Sequence, residues 1–314
     1  MRGRFWPAAA AAVTGIQVGT AMVATRFVVD QAGPASLALL RYCIGVSCLL
    51  PAIALSRSRV RFAGRDLAPI ALLGITQFGI LIALLNYGLR AVPSARAALI
   101  FATFPLLTSL VAAALGREKL TAAKLAGVGL TILGVGLALG DKTLERGPGG
   151  GAWIGELAVF ASALSGAVCS VLYRPYLEKY PTLPVSGFAM LASIAFLAPL
   201  AAGEGFFDSW PHFTPAGWLA VAFIGLGSGG GYYLWLWALR HATPTRVTVF
   251  LALSPVTAAA LGVWLLGEPV SSRSALGLVL VAGGLVLAHQ DSRAVEPASL
   301  TARETAPYNN LRRQ

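Results

Sequence analysis

Gln17 and Gln77 carry amides, and Ser162, Ser165 and Ser254 carry hydroxyls, inside otherwise apolar runs of this chain. A glutamine facing hydrocarbon leaves several hydrogen-bonding groups unpaired, at a cost on the order of kcal/mol each. Both amides are therefore expected to face an interior, where they bond a neighbouring helix or a solute. Aromatic rings stand near them in the chain: Phe78, Phe101, Phe104, Tyr232, Tyr233, Trp235, Trp237 and Phe250. Amides and hydroxyls beside aromatic walls suit an amphipathic, largely neutral solute. A zwitterionic amino acid with an apolar or aromatic side chain fits that description.

Bond-breaking chemistry has far less support. His212 and His241 fall between apolar runs, His289 ends the last one, and no acidic cluster occurs. A membrane-embedded enzyme would need carboxylates holding a metal, a Ser/His pair or a His-rich site at depth. No catalytic residue, metal site or cofactor is expected. Cys43, Cys48 and Cys169 lie within apolar runs as small buried hydrophobes, without disulfide or metal spacing. The run Gly225-Leu-Gly-Ser-Gly-Gly-Gly231 has no lysine after it and sits in an apolar stretch, so it is read as close packing and not as a phosphate loop. Arg41 and Glu156 are ionisable residues inside apolar runs, which makes each a functional candidate. Both are shallow enough to reach a partner, so pairing is the expected role, with substrate or gating contact as the alternative for Arg41. No buried carboxylate pair marks a proton relay, which leaves facilitated diffusion and proton antiport both open.

The elements that must position these residues follow from composition. Hydrophobic residues make up 56% of the 314 and charged residues 12%, and the mean hydropathy is +0.72. About ten stretches near 20 residues long recur, each able to cross a hydrocarbon core of about 30 Å. No soluble core of this size could hide so many. Breaks at charged and Pro/Gly-rich points divide the chain into spans at roughly 6–25, 34–55, 67–89, 94–115, 121–140, 151–173, 184–202, 214–238, 245–266 and 272–290. The first begins after Arg2 and Arg4 and resembles a signal peptide, but it is too long for a typical apolar core and no cleavage site follows; it is read as a retained span. Residues 141–150 form a linker loop, and 291–314 read as a disordered tail.

The net charge of +11 suggests nucleic acid only until the basic residues are placed. They sit in short groups between spans, where they orient the bundle. With the N-terminus in the cytoplasm, about 17 basic residues fall inside and 6 outside. The four-arginine loop Arg57, Arg59, Arg61 and Arg65 is the clearest determinant. Both termini are expected in the cytoplasm.

The second half of the chain repeats the first at an offset of 150 positions, without gaps: Arg90 returns as Arg240, Arg96 as Arg246, Pro105 as Pro255, Glu118 as Glu268, Gly127 as Gly277 and Gly134 as Gly284. Each copy holds five spans. Five is odd, so the second copy enters the membrane from the opposite side. The fold class expected is an all-α integral membrane protein with ten transmembrane helices in two inverted-topology repeats, 1–140 and 151–290.

The stretch Asn86-Tyr-Gly-Leu-Arg90, then Pro105, Glu118, Gly127 and Gly134, resembles the EamA domain of the drug/metabolite transporter superfamily. Tyr232 to Arg240, then Ser254-Pro255, Leu266-Gly-Glu268-Pro269 and Gly277 to Gly284, is similar to the same domain again. The resemblance covers about residues 6–290. It implies ten helices and export of metabolites, often amino acids; the amino-acid exporters of the YddG type share the architecture.

Each shared residue also has a physical reading. Pro105 and Pro255 remove a backbone donor near mid-span and bend the helix, either as a static kink or as a hinge lining the cavity. Glu118 and Glu268 are expected to cap the next helix or pair with a base. The glycine rows of spans five and ten allow close helix contact. Substrate sites in such folds lie near the midplane between repeats. The residues expected to bind solute are Gln17, Gln77, Phe78, Phe101, Phe104, Ser165, Tyr232, Tyr233, Trp235, Phe250 and Ser254, with Pro105 and Pro255 as hinges. The partners expected are the lipid bilayer of the inner (plasma) membrane and a small-molecule substrate, with no nucleic acid, and a monomer favoured over a dimer. A nucleoside, sugar derivative or cationic drug is the alternative cargo. A channel is disfavoured because no charged ring or filter-like sequence is visible.

Overall fold

A computed structural model describes residues 2–55, 61–118, 121–139, 152–208, 211–268 and 271–294. All regular secondary structure among them is helical. Spans one to ten are Arg2–Val28, Pro34–Leu55, Gly64–Ala91, Ser94–Ala114, Ala122–Leu139, Ala152–Leu172, Thr182–Gly203, Pro215–His241, Pro244–Leu266 and Ser272–Ala294. A short helix, Arg174–Lys179, joins spans six and seven. Eight spans are long and apolar enough to cross a membrane; the described apolar parts of spans five and ten, Ala122–Leu137 and Ser272–Gly284, are shorter. The last helix continues to Ala294, so residues 291–294 are helical and not part of a tail. The linker 141–150, the remaining tail 295–314, and Arg57 and Arg59 lie outside the described residues.

Local chemistry sets the ends. Span eight starts where the Thr214 hydroxyl accepts from the Gly217 N–H at 3.0 Å, with Pro215 supplying a fixed φ. Span nine stops at Gly267, whose φ of 64° closes the helix in the left-handed region. Large apolar side chains such as Leu219, Trp264 and Val279 face outward, as hydrocarbon contact requires.

Three spans are interrupted at mid-length. Span three carries a π-helical segment, Ile75–Ile80. Span four breaks at Ala102 and Thr103 and restarts at Phe104. Span nine passes through a 3-10 segment, Val249–Ala252, and restarts at Leu253. Pro105 and Pro255 thus stand in the first turn of a new half-helix, where an absent N–H costs little. The carbonyl of Leu251, four residues before Pro255, accepts from the Ser254 hydroxyl at 2.7 Å. The bend expected from a proline inside one helix is therefore a break and restart, at matching places in both copies.

The two copies meet reciprocally. A Cβ on Gly134 would stand 2.7 Å from the Gly277 carbonyl, and one on Gly284 would stand 2.6 Å from the Gly127 carbonyl. Spans five and ten cross backbone to backbone through glycines exchanged by the repeat. Spans four and nine run antiparallel: Glu118, after span four, accepts from the Thr245 hydroxyl at 2.6 Å, and Glu268, after span nine, accepts from the Ser94 N–H at 3.0 Å. The capping expected of these glutamates on the next helix is made across the repeats. Their pairing with a base is also present, to Lys124 at 3.0 Å and Arg26 at 4.0 Å respectively.

Candidate functional site

A cavity with about 590 Å³ of empty space, its open mouth included, lies between the copies. Span one contributes Thr14, Gln17, Val18, Ala21, Met22 and Thr25, and span two contributes Arg41. Spans three and four add Gln77, Leu81, Ile82, Leu85, Phe101 and Phe104. From the second repeat come Gly231, Tyr232, Trp235 and Leu251.

The polar groups are placed by distinct local devices. Gln77 sits in the π segment of span three, a local widening that is frequent at functional sites. Its Nε2 donates to the Tyr232 hydroxyl at 3.3 Å, and its Oε1 has no partner among the described residues. Gln17 lies against the glycine run of span eight. A Cβ on Gly231 would come within 2.8 Å of its Oε1, and one on Gly227 within 3.1 Å of its Nε2. That Nε2 is also without a partner among the described residues. The glycine run thus makes room for an amide side chain.

Rings form the apolar wall. Phe104 meets Trp235 edge-on at 6.0 Å and stands 5.4 Å from Phe101. Gly166 of span six leaves space for the Phe104 ring, which any Cβ there would strike. Tyr232 stacks edge-on against Phe78 at 4.2 Å, and Tyr42 closes the group at 5.3 Å from Phe78. Such offset and edge-on pairs each contribute about 0.5–1.5 kcal/mol beyond their buried area.

Of the residues expected to bind solute, Gln17, Gln77, Phe101, Phe104, Tyr232 and Trp235 line the cavity together. Phe78 stands behind Tyr232, fully buried. Ser165 turns to its own helix and donates to the Ala161 carbonyl at 2.9 Å, and Ser254 serves the carbonyl freed by Pro255. Tyr233 and Phe250 pack on the core outside the lining; the Phe250 carbonyl faces Gly15 of span one. Thr14, Thr25, Leu81 and Leu85 were not singled out from sequence. Their signal was present as spacing: Thr14, Gln17, Ala21 and Thr25 share one helical face, as do Gln77, Leu81 and Leu85.

Arg41 lines the cavity at 6% exposure, its Nε donating to the Ser228 hydroxyl at 2.5 Å and its guanidinium 5.9 Å from the Tyr42 ring centre. Glu156 pairs with Arg96 of span four at 2.5 Å. Among the described residues no Asp or Glu lines the cavity, and no three His, Cys, Asp or Glu side chains converge. The arrangement offers hydrogen bonds, one positive charge and ring faces, which is equipment for holding a solute.

A family model described as the EamA-like transporter family matches residues 5–140 and again residues 153–289. A relative from Streptantibioticus cattleyicolor, named a probable terminal-alkyne amino-acid exporter, is 30% identical over 88% of this chain and 90% of its own. The aromatic amino acid exporter YddG of Ancylobacter novellus is 29% identical over 64% of this chain and 68% of its own. A solved crystal structure superposes with a TM-score of 0.68 at 24% identity, covering 92% of this chain and 99% of that one, a likeness of fold.

Proposed function

The chain belongs to the EamA-like transporter family, and from that premise we propose that it exports amino acids with apolar or aromatic side chains. It is a multi-pass membrane transporter and not an enzyme. The observation that carries the proposal is the cavity shared by both repeats, whose lining combines the amides of Gln17 and Gln77 with the rings of Phe101, Phe104 and Trp235. Burying one apolar side chain against those rings contributes about 1.5–3 kcal/mol, while amides meet the polar end.

Two relatives named as amino-acid exporters support this cargo. The lone Arg41, with no carboxylate among the described residues lining the cavity, speaks against a cationic drug. Alternating access is the mechanism proposed. Spans four and nine are each broken beside the cavity, so their half-helices can tilt about the restarts at Phe104 and Leu253. The excess of basic residues on one face supports a reading with both termini on the cytoplasmic side of a cell's inner membrane.

Counterflow in proteoliposomes tests the cargo, with a panel of amino acids, nucleosides and sugar derivatives, with and without a pH gradient. Saturable exchange of L-phenylalanine and L-leucine supports the proposal. Exchange of nucleosides or sugars with no competition by any amino acid overturns it.

A further inference from the structure

Arg41 is a buried cation whose charge no carboxylate among the described residues answers. Only 6% of it is exposed. None of the ion pairs among the described residues includes it. Arginine has five N–H donors. The Nε donor is held by Ser228, which passes the bond on to the Ile224 carbonyl at 2.6 Å. The four donors on the two Nη atoms meet no protein acceptor among the described residues. Tyr42, fully buried, stands beside the guanidinium. The Ser228 bond therefore anchors one edge of the guanidinium and leaves the opposite edge for another partner, at a residue that lines the cavity.

A buried charge of this kind is costly unless something compensates it, and a planar guanidinium matches a carboxylate through two parallel hydrogen bonds. We propose that Arg41 is the carboxylate-binding and specificity-determining residue of the cavity. Its Nη edge takes both oxygens of the substrate carboxylate. This deepens, and rests on, the reading of the cavity as the transport site. The cavity offers an incoming ammonium only neutral acceptors, such as the unpartnered Gln77 Oε1. The carboxylate is consequently the group the carrier requires, and the amine the one it can do without.

The test is a competition series against L-phenylalanine counterflow in proteoliposomes, using 3-phenylpropanoate, phenethylamine and phenylalaninamide. The same acid and amine are also measured for thermal stabilisation of the purified protein. The expected result is that 3-phenylpropanoate competes and stabilises, while phenethylamine and phenylalaninamide are weaker by about ten- to hundred-fold. Arg41→Gln abolishes that discrimination and Arg41→Lys restores part of it. Should Arg41→Gln fail to fold, the ligand series on the unsubstituted protein decides. Equal potency of acid and amine, stabilisation by neither, or discrimination retained in Arg41→Gln overturns the proposal. Failure of phenylalanine and leucine to exchange, with stabilisation by 3-phenylpropanoate that Arg41→Gln removes, would overturn the amino-acid reading and leave the role of Arg41 standing.

Discussion

Glu268 closes over Ser94: its two carboxylate oxygens accept the Ser94 N–H at 3.0 and 3.1 Å, and one also accepts the Ser94 hydroxyl at 2.5 Å. The residue that follows span nine thereby caps the start of span four. Glu118, its counterpart in the first repeat, reaches the start of span nine through Thr245. One latch stands at each end of the same antiparallel pair. A carrier that opens one end at a time must loosen these contacts in turn.

Glu268→Gln and Glu118→Gln should each lower stability by about 1.5–3 kcal/mol, the range for hydrogen bonds to a charged group. Because the two latches sit at opposite ends of the spans, the double variant should lose close to the sum. Denaturation of the purified protein measures this, and a double loss no larger than a single one would show that the latches are not independent.

The pair Arg96–Glu156 tests burial of charge. Glu156→Gln removes the carboxylate charge facing a guanidinium that is 5% exposed, and should cost about 1.5–3 kcal/mol. Replacing both residues with apolar ones of similar size should recover most of the loss. A thermal-unfolding cycle of the two single variants and the double reads the coupling.

Glycine substitutions should divide by position. Gly134→Leu and Gly284→Leu press on the facing backbone and should destabilise by about 2 kcal/mol or more. Gly129→Ala and Gly136→Ala point into open space and should be neutral or up to about 1 kcal/mol stabilising. Equal effects at all four positions would remove the glycine crossing from the account.

Solute contacts should also divide. Phe104→Ala and Trp235→Ala remove ring faces that line the cavity, and should weaken substrate competition by about ten-fold. Ser165→Ala and Tyr233→Phe alter residues outside the lining and should leave it unchanged. Competition curves from counterflow decide this.

Much of this architecture was legible in the sequence because its signals are collective. Ten apolar runs, an odd number per copy and an offset of 150 positions carry the topology without reference to any one contact. Gln17 and Gln77 were legible for another reason, since hydrocarbon penalises an exposed amide. The rest depends on what lies across the bundle. Periodicity puts Ser165 and Ser254 inside the membrane, but a hydroxyl can bond its own helix, and both do. The capping partners of Glu118 and Glu268, Thr245 and Ser94, were hidden because they sit 127 and 174 positions away, on the other repeat. Arg41 was visible as a charge, but its single bond to Ser228 required the crossing of spans two and eight, where Gly45 and Gly229 touch.

Ala21 lines the cavity, and Ala21→Cys, in a protein whose Cys43, Cys48 and Cys169 are replaced by alanine, tests the central claim of one site reached alternately from two faces. Membrane-impermeant thiol reagents are applied from each side of oriented vesicles, with and without saturating L-phenylalanine. The account predicts labelling from both sides, slowed by the amino acid. Labelling from one side alone under every condition would contradict it.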